Sequence, residues 1–170
     1  MISQTLAKPL STADAPNLGL VCITTVPEVR FKTMTRKRLL QLDEVAQTEA
    51  LRSLYGENLK RLDLAITFCQ KHQIWLYRLI SNLLPFSDTP LGDRILTEFS
   101  DVLRQVGDRA QAAGIRLVLH PDQFVVLNSD NPTVIANSIT ILSAQARWFD
   151  LMGMPSSASA AKKIHGRNGD

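Results

Sequence analysis

The stretch IRLVLHPDQFVVLNSDNPTV, residues 115–134, decides the fold. Ile115, Leu117, Val118 and Leu119 form an apolar run too short for a helix and typical of a buried strand. The run ends on His120, and Pro121 then turns the chain into the polar and aromatic residues Asp122, Gln123 and Phe124. Beyond them, Asn131 and Pro132 have the chemistry of a helix cap and first turn. They precede Ile135, Ile139, Leu142, Ala146 and Phe149, an apolar stripe at helical spacing that stops near Gly153. One strand, one polar loop and one helix are thus written in sequence.

The same unit recurs upstream. Pro90 opens a helix with Ile95, Phe99, Val102, Leu103, Val106 and Ala110 on one face, and Gly114 stops it. It is preceded by the apolar strand IWLYRLI at residues 74–80. Leu51, Leu54, Tyr55, Leu59, Leu62, Ile66 and Cys69 predict a helix from about Thr48 to His72. Before it stands LGLVCITT at 18–25, short, branched and apolar, while AAKKIH at 160–165 reads as a fourth strand in spite of its lysines. Residues 1–16 are rich in Ser, Thr, Ala and Pro and read as a flexible leader to a single domain at 17–170. Strand and helix in alternation imply a parallel α/β sheet. Each strand ends on polar residues: Thr24–Thr25, Ser81–Asn82, His120 and His165. In such folds ligands gather at that carboxyl edge.

Composition sets wide bounds. A chain of 170 residues with 45% hydrophobic content can bury a core, and a net charge of +3 permits nucleic-acid binding without demanding it. Cys22 and Cys69 have no zinc-type spacing and read as buried, reduced thiols. No signal-peptide pattern and no apolar run of membrane-spanning length is present, so the expected location is cytoplasmic, with no membrane partner.

Several residues carry chemistry. His120 and His165 close two strands, where neutral imidazoles can share a divalent metal ion; the alternative is a histidine satisfied within a core or turn. His72, near a helix C-terminus, gets no catalytic role because a positive charge is simply favoured there. Gln123 and Phe124 could act as an amide and an aromatic wedge against nucleic-acid bases, or the ring could tuck onto the sheet rim. Arg30, Lys32, Arg36, Lys37 and Arg38 face one acid, Glu28, just past the first strand, which suits phosphate contact as well as plain solvation. Arg78 interrupts an apolar strand and is expected to pair with a carboxylate or carbonyls inside the barrel.

At these residues the chain resembles the UV damage endonuclease family of TIM-barrel repair nucleases. The marks are LGLVC (18–22), ENLKRLDLAI (57–66), LYRLISNLLPFS (76–87), LHPDQFVVLNS (119–129) and IHG (164–166). The resemblance implies incision of double-stranded DNA immediately 5′ to UV photoproducts, and sometimes at abasic sites, with divalent metal ions. Mn²⁺ leads, with Mg²⁺ or Zn²⁺ as alternatives. His120 and His165 match the family's metal-binding histidines, and Gln123 and Phe124 match the residues pushed into the duplex at the lesion. The basic segment falls where the family contacts DNA. Where the family often carries a further histidine ligand this chain has Thr89, with Asp88 beside it as a possible oxygen ligand. Leu20 and Thr24 replace an aromatic and an asparagine, and Lys163 stands where related sequences tend to be uncharged.

The family's chains are far longer. This sequence resembles the first four βα units of a (β/α)8 barrel, whose open edges would be covered by a C-terminal half-barrel or by self-association. Two other readings stay open: a DNA-binding remnant without hydrolysis, and a sugar isomerase-like barrel enzyme sharing the strand-end histidines.

Overall fold

The computed structural model describes residues 19–21, 27–155 and 160–162. Four strands, β1 (Gly19–Val21), β2 (Leu76–Leu79), β3 (Arg116–Leu119) and β4 (Ala160–Lys162), form one sheet in the order β1-β2-β3-β4. All neighbouring pairs are parallel, as the strand–helix alternation implies. Sequential order with parallel pairing and helical crossovers is the geometry of consecutive units of a TIM barrel. The predicted Thr24–Thr25 and His165 strand ends lie outside the described residues, as do Cys22 and the leader.

The helices are α1 (Arg36–Leu39), α2 (Glu44–Lys71), α3 (Pro90–Glu98), α4 (Ser100–Ala112) and α5 (Pro132–Leu151). The stripe expected on α2 is buried along its whole length, from Leu51 to Cys69. The helix nevertheless begins about a turn before Thr48, because the Asp43 side chain accepts a hydrogen bond from the Ala46 amide at 2.8 Å. That first turn carries no apolar stripe, so periodicity cannot see it; the cap is the signal. Gly114, at φ 66, takes the left-handed position that closes α4, as expected of a stop glycine.

Two expectations are corrected. The single helix from Pro90 is two, broken at Phe99, whose ring centroid lies 6.3 Å from that of Tyr55. Past the break Leu103, Val106 and Ala110 are buried as expected, while Val102 is exposed. On α5 the predicted stripe is also displaced. Phe149 is buried as expected, but Ile139 is 52% exposed, and Ser138, Gln145 and Trp148 are buried instead. The reason is what α5 covers: Trp148 and Phe149 meet the core, but Ser138 and Gln145 lie against loops, where they find hydrogen bonds.

The core lies between the sheet and the helices. Tyr77, Leu79, Leu117 and Leu119 point into it from the strands and meet Leu59, Leu62, Ile66, Ile95, Leu96, Leu103 and Trp148. Cys69 is also buried there, and burial pushes its thiol up to about 11, so it stays protonated at neutral pH. No described helix is long and apolar enough to cross a membrane.

Candidate functional site

Side chains alternate across a strand, so burying Tyr77, Leu79, Leu117 and Leu119 against the helices sends their neighbours to the opposite face. That face carries Leu76, Arg78 and Ile80 from β2 and its extension, and Arg116, Val118 and His120 from β3 and its extension. At its carboxyl edge is a concavity of about 510 Å³ lined by Arg78, Ser81, Asn82, His120, Asp122, Gln123 and Phe124, among others. His120 is half-buried in this wall, an arrangement open enough for an imidazole to ligate.

The loop after His120 is pinned on both sides of its tip. Asp122 Oδ1 accepts a hydrogen bond from Ser81 Oγ at 2.7 Å, tying the loop to the end of β2. The Val125 amide donates to Asp122 O at 2.9 Å, and the Val126 amide donates to Ser138 Oγ on α5 at 3.1 Å. Pro121 and Val125 are buried. Between these anchors Gln123 is exposed and Phe124 is 64% exposed. The ring does not tuck onto the rim.

Phe124 also borders a second concavity, of about 260 Å³, shared with Met34, Arg36, Asp88, Gln145 and Trp148. The loop between β2 and α3 forms its floor and is held tightly. Tyr55 Oη donates to Pro85 O at 2.8 Å, and Trp148 Nε1 donates to Ser87 Oγ at 3.0 Å. Burial, with the Asp88 and Asp93 carboxylates adding to it, pushes the Tyr55 phenol well above its ordinary value. The loop also holds Phe86 at φ 64, a left-handed conformation that is uncommon for an aromatic residue. It needs Gly92 as well, since a Cβ there would sit 1.9 Å from Phe86 O. Thr89 is consumed structurally: its hydroxyl donates to Phe86 O at 2.7 Å and accepts from the Gly92 amide at 3.1 Å, capping α3.

Asp88 is exposed on this second concavity, whereas His120 lines the first, and Ser81, Asn82, Asp122 and Phe124 form the wall between them. Among the described residues no three of His, Cys, Asp and Glu gather at metal-binding spacing. His165 lies outside those residues.

The basic segment is exposed at Arg30, Lys32, Arg36, Lys37 and Arg38, yet its backbone is fixed. Asn58, fully buried on α2, accepts from the Lys32 amide at 2.8 Å and donates to Lys32 O at 2.9 Å and Leu83 O at 2.8 Å. Arg61 adds hydrogen bonds to Pro27 O at 2.8 Å and Arg30 O at 2.9 Å. Asn58 therefore joins the basic segment to the loop after β2. Sequence reasoning assigned it no role. The available signal was an amide standing between Tyr55 and Leu59 within the buried stripe, where only a fully bonded polar group survives.

Arg78 departs from expectation. Its Nε is buried without a hydrogen-bond partner, and no carboxylate of the described residues pairs with it. The strand carries its guanidinium to the concave face, away from the acids of the helix layer.

Comparison with known proteins agrees with this architecture. The family described as UV-endonuclease UvdE matches residues 16–170. The UV DNA damage endonuclease of Nostoc sp. is 50% identical over 153 residues, covering 89% of this chain and 48% of the relative. The UV DNA damage endonuclease of Deinococcus radiodurans is 41% identical over 157 residues, covering 91% of this chain and 52% of the relative. The crystal structure of SacUVDE superposes with a TM-score of 0.71 at 28% identity, over 87% of this chain and 47% of that one. The chain thus spans about half the length of the curated relatives it matches, and the sugar-isomerase reading gains no support. With its partial TIM barrel, its strand-end polar loops and a match over nearly its whole length, the chain belongs to the UV-endonuclease UvdE family.

Proposed function

We propose that this chain contributes the damage-reading half of a DNA repair endonuclease that incises double-stranded DNA 5′ to UV photoproducts with divalent metal ions. The observation that carries the reading is Phe124, an aromatic ring 64% exposed on a loop anchored on both sides, beside the His120 concavity. An anchored ring loses little freedom when it enters a duplex, and a lesion that already weakens stacking lowers the cost of that entry. Gln123, next to it, offers an amide to the exposed base edges. Arg30, Lys32, Arg36, Lys37 and Arg38 supply phosphate contacts on the same edge, with Arg36 and Phe124 bordering one concavity.

His120, with His165, would hold the divalent ions, Mn²⁺ first and Mg²⁺ or Zn²⁺ as alternatives; Asp88 would add an oxygen ligand from the adjoining concavity. Such an ion, when bound, polarises a phosphodiester and makes water a better nucleophile at neutral pH. The chain's own contribution is to position: the Ser81–Asp122 bond and the Ser138 contact set the wedge loop beside His120. The remaining barrel strands come from a complementary half-barrel, with self-association through the open sheet edges as the alternative.

The test is nicking of UV-irradiated supercoiled plasmid in Mn²⁺ by this chain, alone and mixed with the part of the Nostoc relative that it does not match. Nicking by the mixture, abolished by His120→Ala with duplex binding retained, is the expected result. Undiminished nicking by His120→Ala ends the ligand assignment. The anchored, exposed Phe124 ring supports one second reading for the chain by itself, since it can meet a duplex whether or not a metal site is completed. In that reading it binds damaged duplex without hydrolysis, which lesion-preferring binding without nicking in either mixture would support.

A further inference from the structure

Arg78 is registered on Val118, two residues before His120, and lines the same concavity as that imidazole. Arg116, on the same face but at the other end of β3, is exposed and can be hydrated. Arg78 differs, because its Nε is sealed from solvent and bonded to nothing. A guanidinium carries N–H donors and no acceptor, so this donor can be satisfied only by a group outside Arg78. The residue as a whole is half-buried, and an N–H left unpaired on a cation calls for an acceptor, for which an anion is the best match.

The lining of the concavity bears on which anion. Asp122 is the one carboxylate among the lining residues, and its Oδ1 is already engaged by Ser81 Oγ at 2.7 Å. The other polar groups around Arg78 are Ser81, Asn82, His120 and Gln123. Their hydroxyl, amide and imidazole groups can both donate and accept hydrogen bonds, so beyond Asp122 none of them brings a carboxylate to Arg78 and each can add a donor to a bound anion. It stands at the open carboxyl edge of the sheet. A planar fork offering two parallel N–H groups fits a tetrahedral oxyanion bidentately.

We propose that Arg78 is an anion-binding residue of the His120 concavity and that its ligand is a phosphate group. In a nucleic-acid complex this would be one phosphodiester of the bound strand, an extension that rests on the DNA-binding reading above. Arg78 then holds the backbone at the bottom of the concavity while Phe124 occupies its rim. This separates it from the exposed lysines and arginines of the basic segment, which meet phosphates in solvent.

Two measurements on the 170-residue chain test this. The first follows the Arg78 Nε–H resonance by NMR during titration with inorganic phosphate. A saturable shift is expected, with phosphate affinity falling about tenfold or more in Arg78→Gln and partly restored in Arg78→Lys, which keeps the charge but loses the fork. The second measures binding of a short undamaged duplex against salt. Losing one phosphate contact should lower the slope of log affinity on log salt by about 0.9 in Arg78→Gln. An unmoved Arg78 resonance overturns the proposal. So does an Arg78→Gln chain that unfolds at lower temperature while its phosphate affinity and salt slope stay unchanged, since the guanidinium is then a packing element. Should Arg78→Gln not fold, the wild-type titration decides alone. Phosphate binding at Arg78 without any duplex binding leaves this proposal standing and ends the DNA reading. Duplex binding with an unmoved resonance does the reverse.

Discussion

The two faces of one sheet are built from alternate residues of the same strands, yet they follow opposite rules. Toward the helices stand Tyr77, Leu79, Leu117 and Leu119, all buried. Toward the concave side stand Arg78, Arg116 and His120, with Val21 left 45% exposed. The first face is chosen for volume and apolar area. The second keeps charge and donors where packing alone would have placed aliphatic side chains. Selection for stability would not put Arg78 in the middle of a strand. Its presence makes the concave side the polar one.

The contrast is broken most strongly from the helix side. Leu117→Ala removes a fully buried side chain and should cost about 2–5 kcal/mol, read as a lowered midpoint in urea. If the cost is under about 1 kcal/mol, the core does not sit where the buried residues place it. Asn58→Ala should come next, at about 1–3 kcal/mol, because it strands the Lys32 amide and two carbonyls. Its diagnostic effect is faster hydrogen exchange at the Lys32 amide, with exchange along α2 changed much less.

A pH experiment sharpens the same comparison. Burial pushes the folded Cys69 thiol up to about 11, above its ordinary value of 9.0. Between those values the unfolded chain has lost its proton and the folded chain has not. Stability should therefore fall as pH rises through that window, and Cys69→Ala should flatten part of the slope. Tyr55, raised in the same direction, extends the loss to higher pH. A chain equally stable across the window would show that the thiol is not in the core.

The smallest stability effect belongs to the exposed loop. Phe124→Ala should change stability by less than about 0.5 kcal/mol, since its ring is largely in solvent. Its effect should appear instead in DNA binding, where affinity for UV-damaged duplex falls more than affinity for intact duplex and the ratio of the two drops. Equal losses on both substrates would make the ring a general contact rather than a reader of damage.

How much of this was legible beforehand differs by element. The strand–helix alternation, the α2 stripe, the Asn131–Pro132 start of α5 and the Gly114 stop are local patterns, and they stand where expected. The break at Phe99 and the buried face of α5 were not legible. The face of α5 depends on what lies across the interface, the loops holding Ser81 and Val126, and the break stands where the Phe99 ring meets that of Tyr55 on another helix. The candidate site divides in the same way. His120, Gln123 and Phe124 are adjacent in sequence and could be read together. Asp88 and His120 could be grouped only by residue type, and folding sets them in neighbouring concavities.

The amino-acid order alone determined the parallel α/β framework and the edge of the sheet on which polar residues collect. Periodicity, caps and strand ends are written within a few residues of one another and need no distant partner. Tertiary structure decided what each polar group meets. It set Asn58 between the basic segment and the loop after β2, Ser81 against Asp122, and Arg78 where its Nε meets no partner among the described residues. Hydrogen bonds and charge pairing act across residues far apart in the chain, and no one-dimensional pattern records which of them folding will bring together.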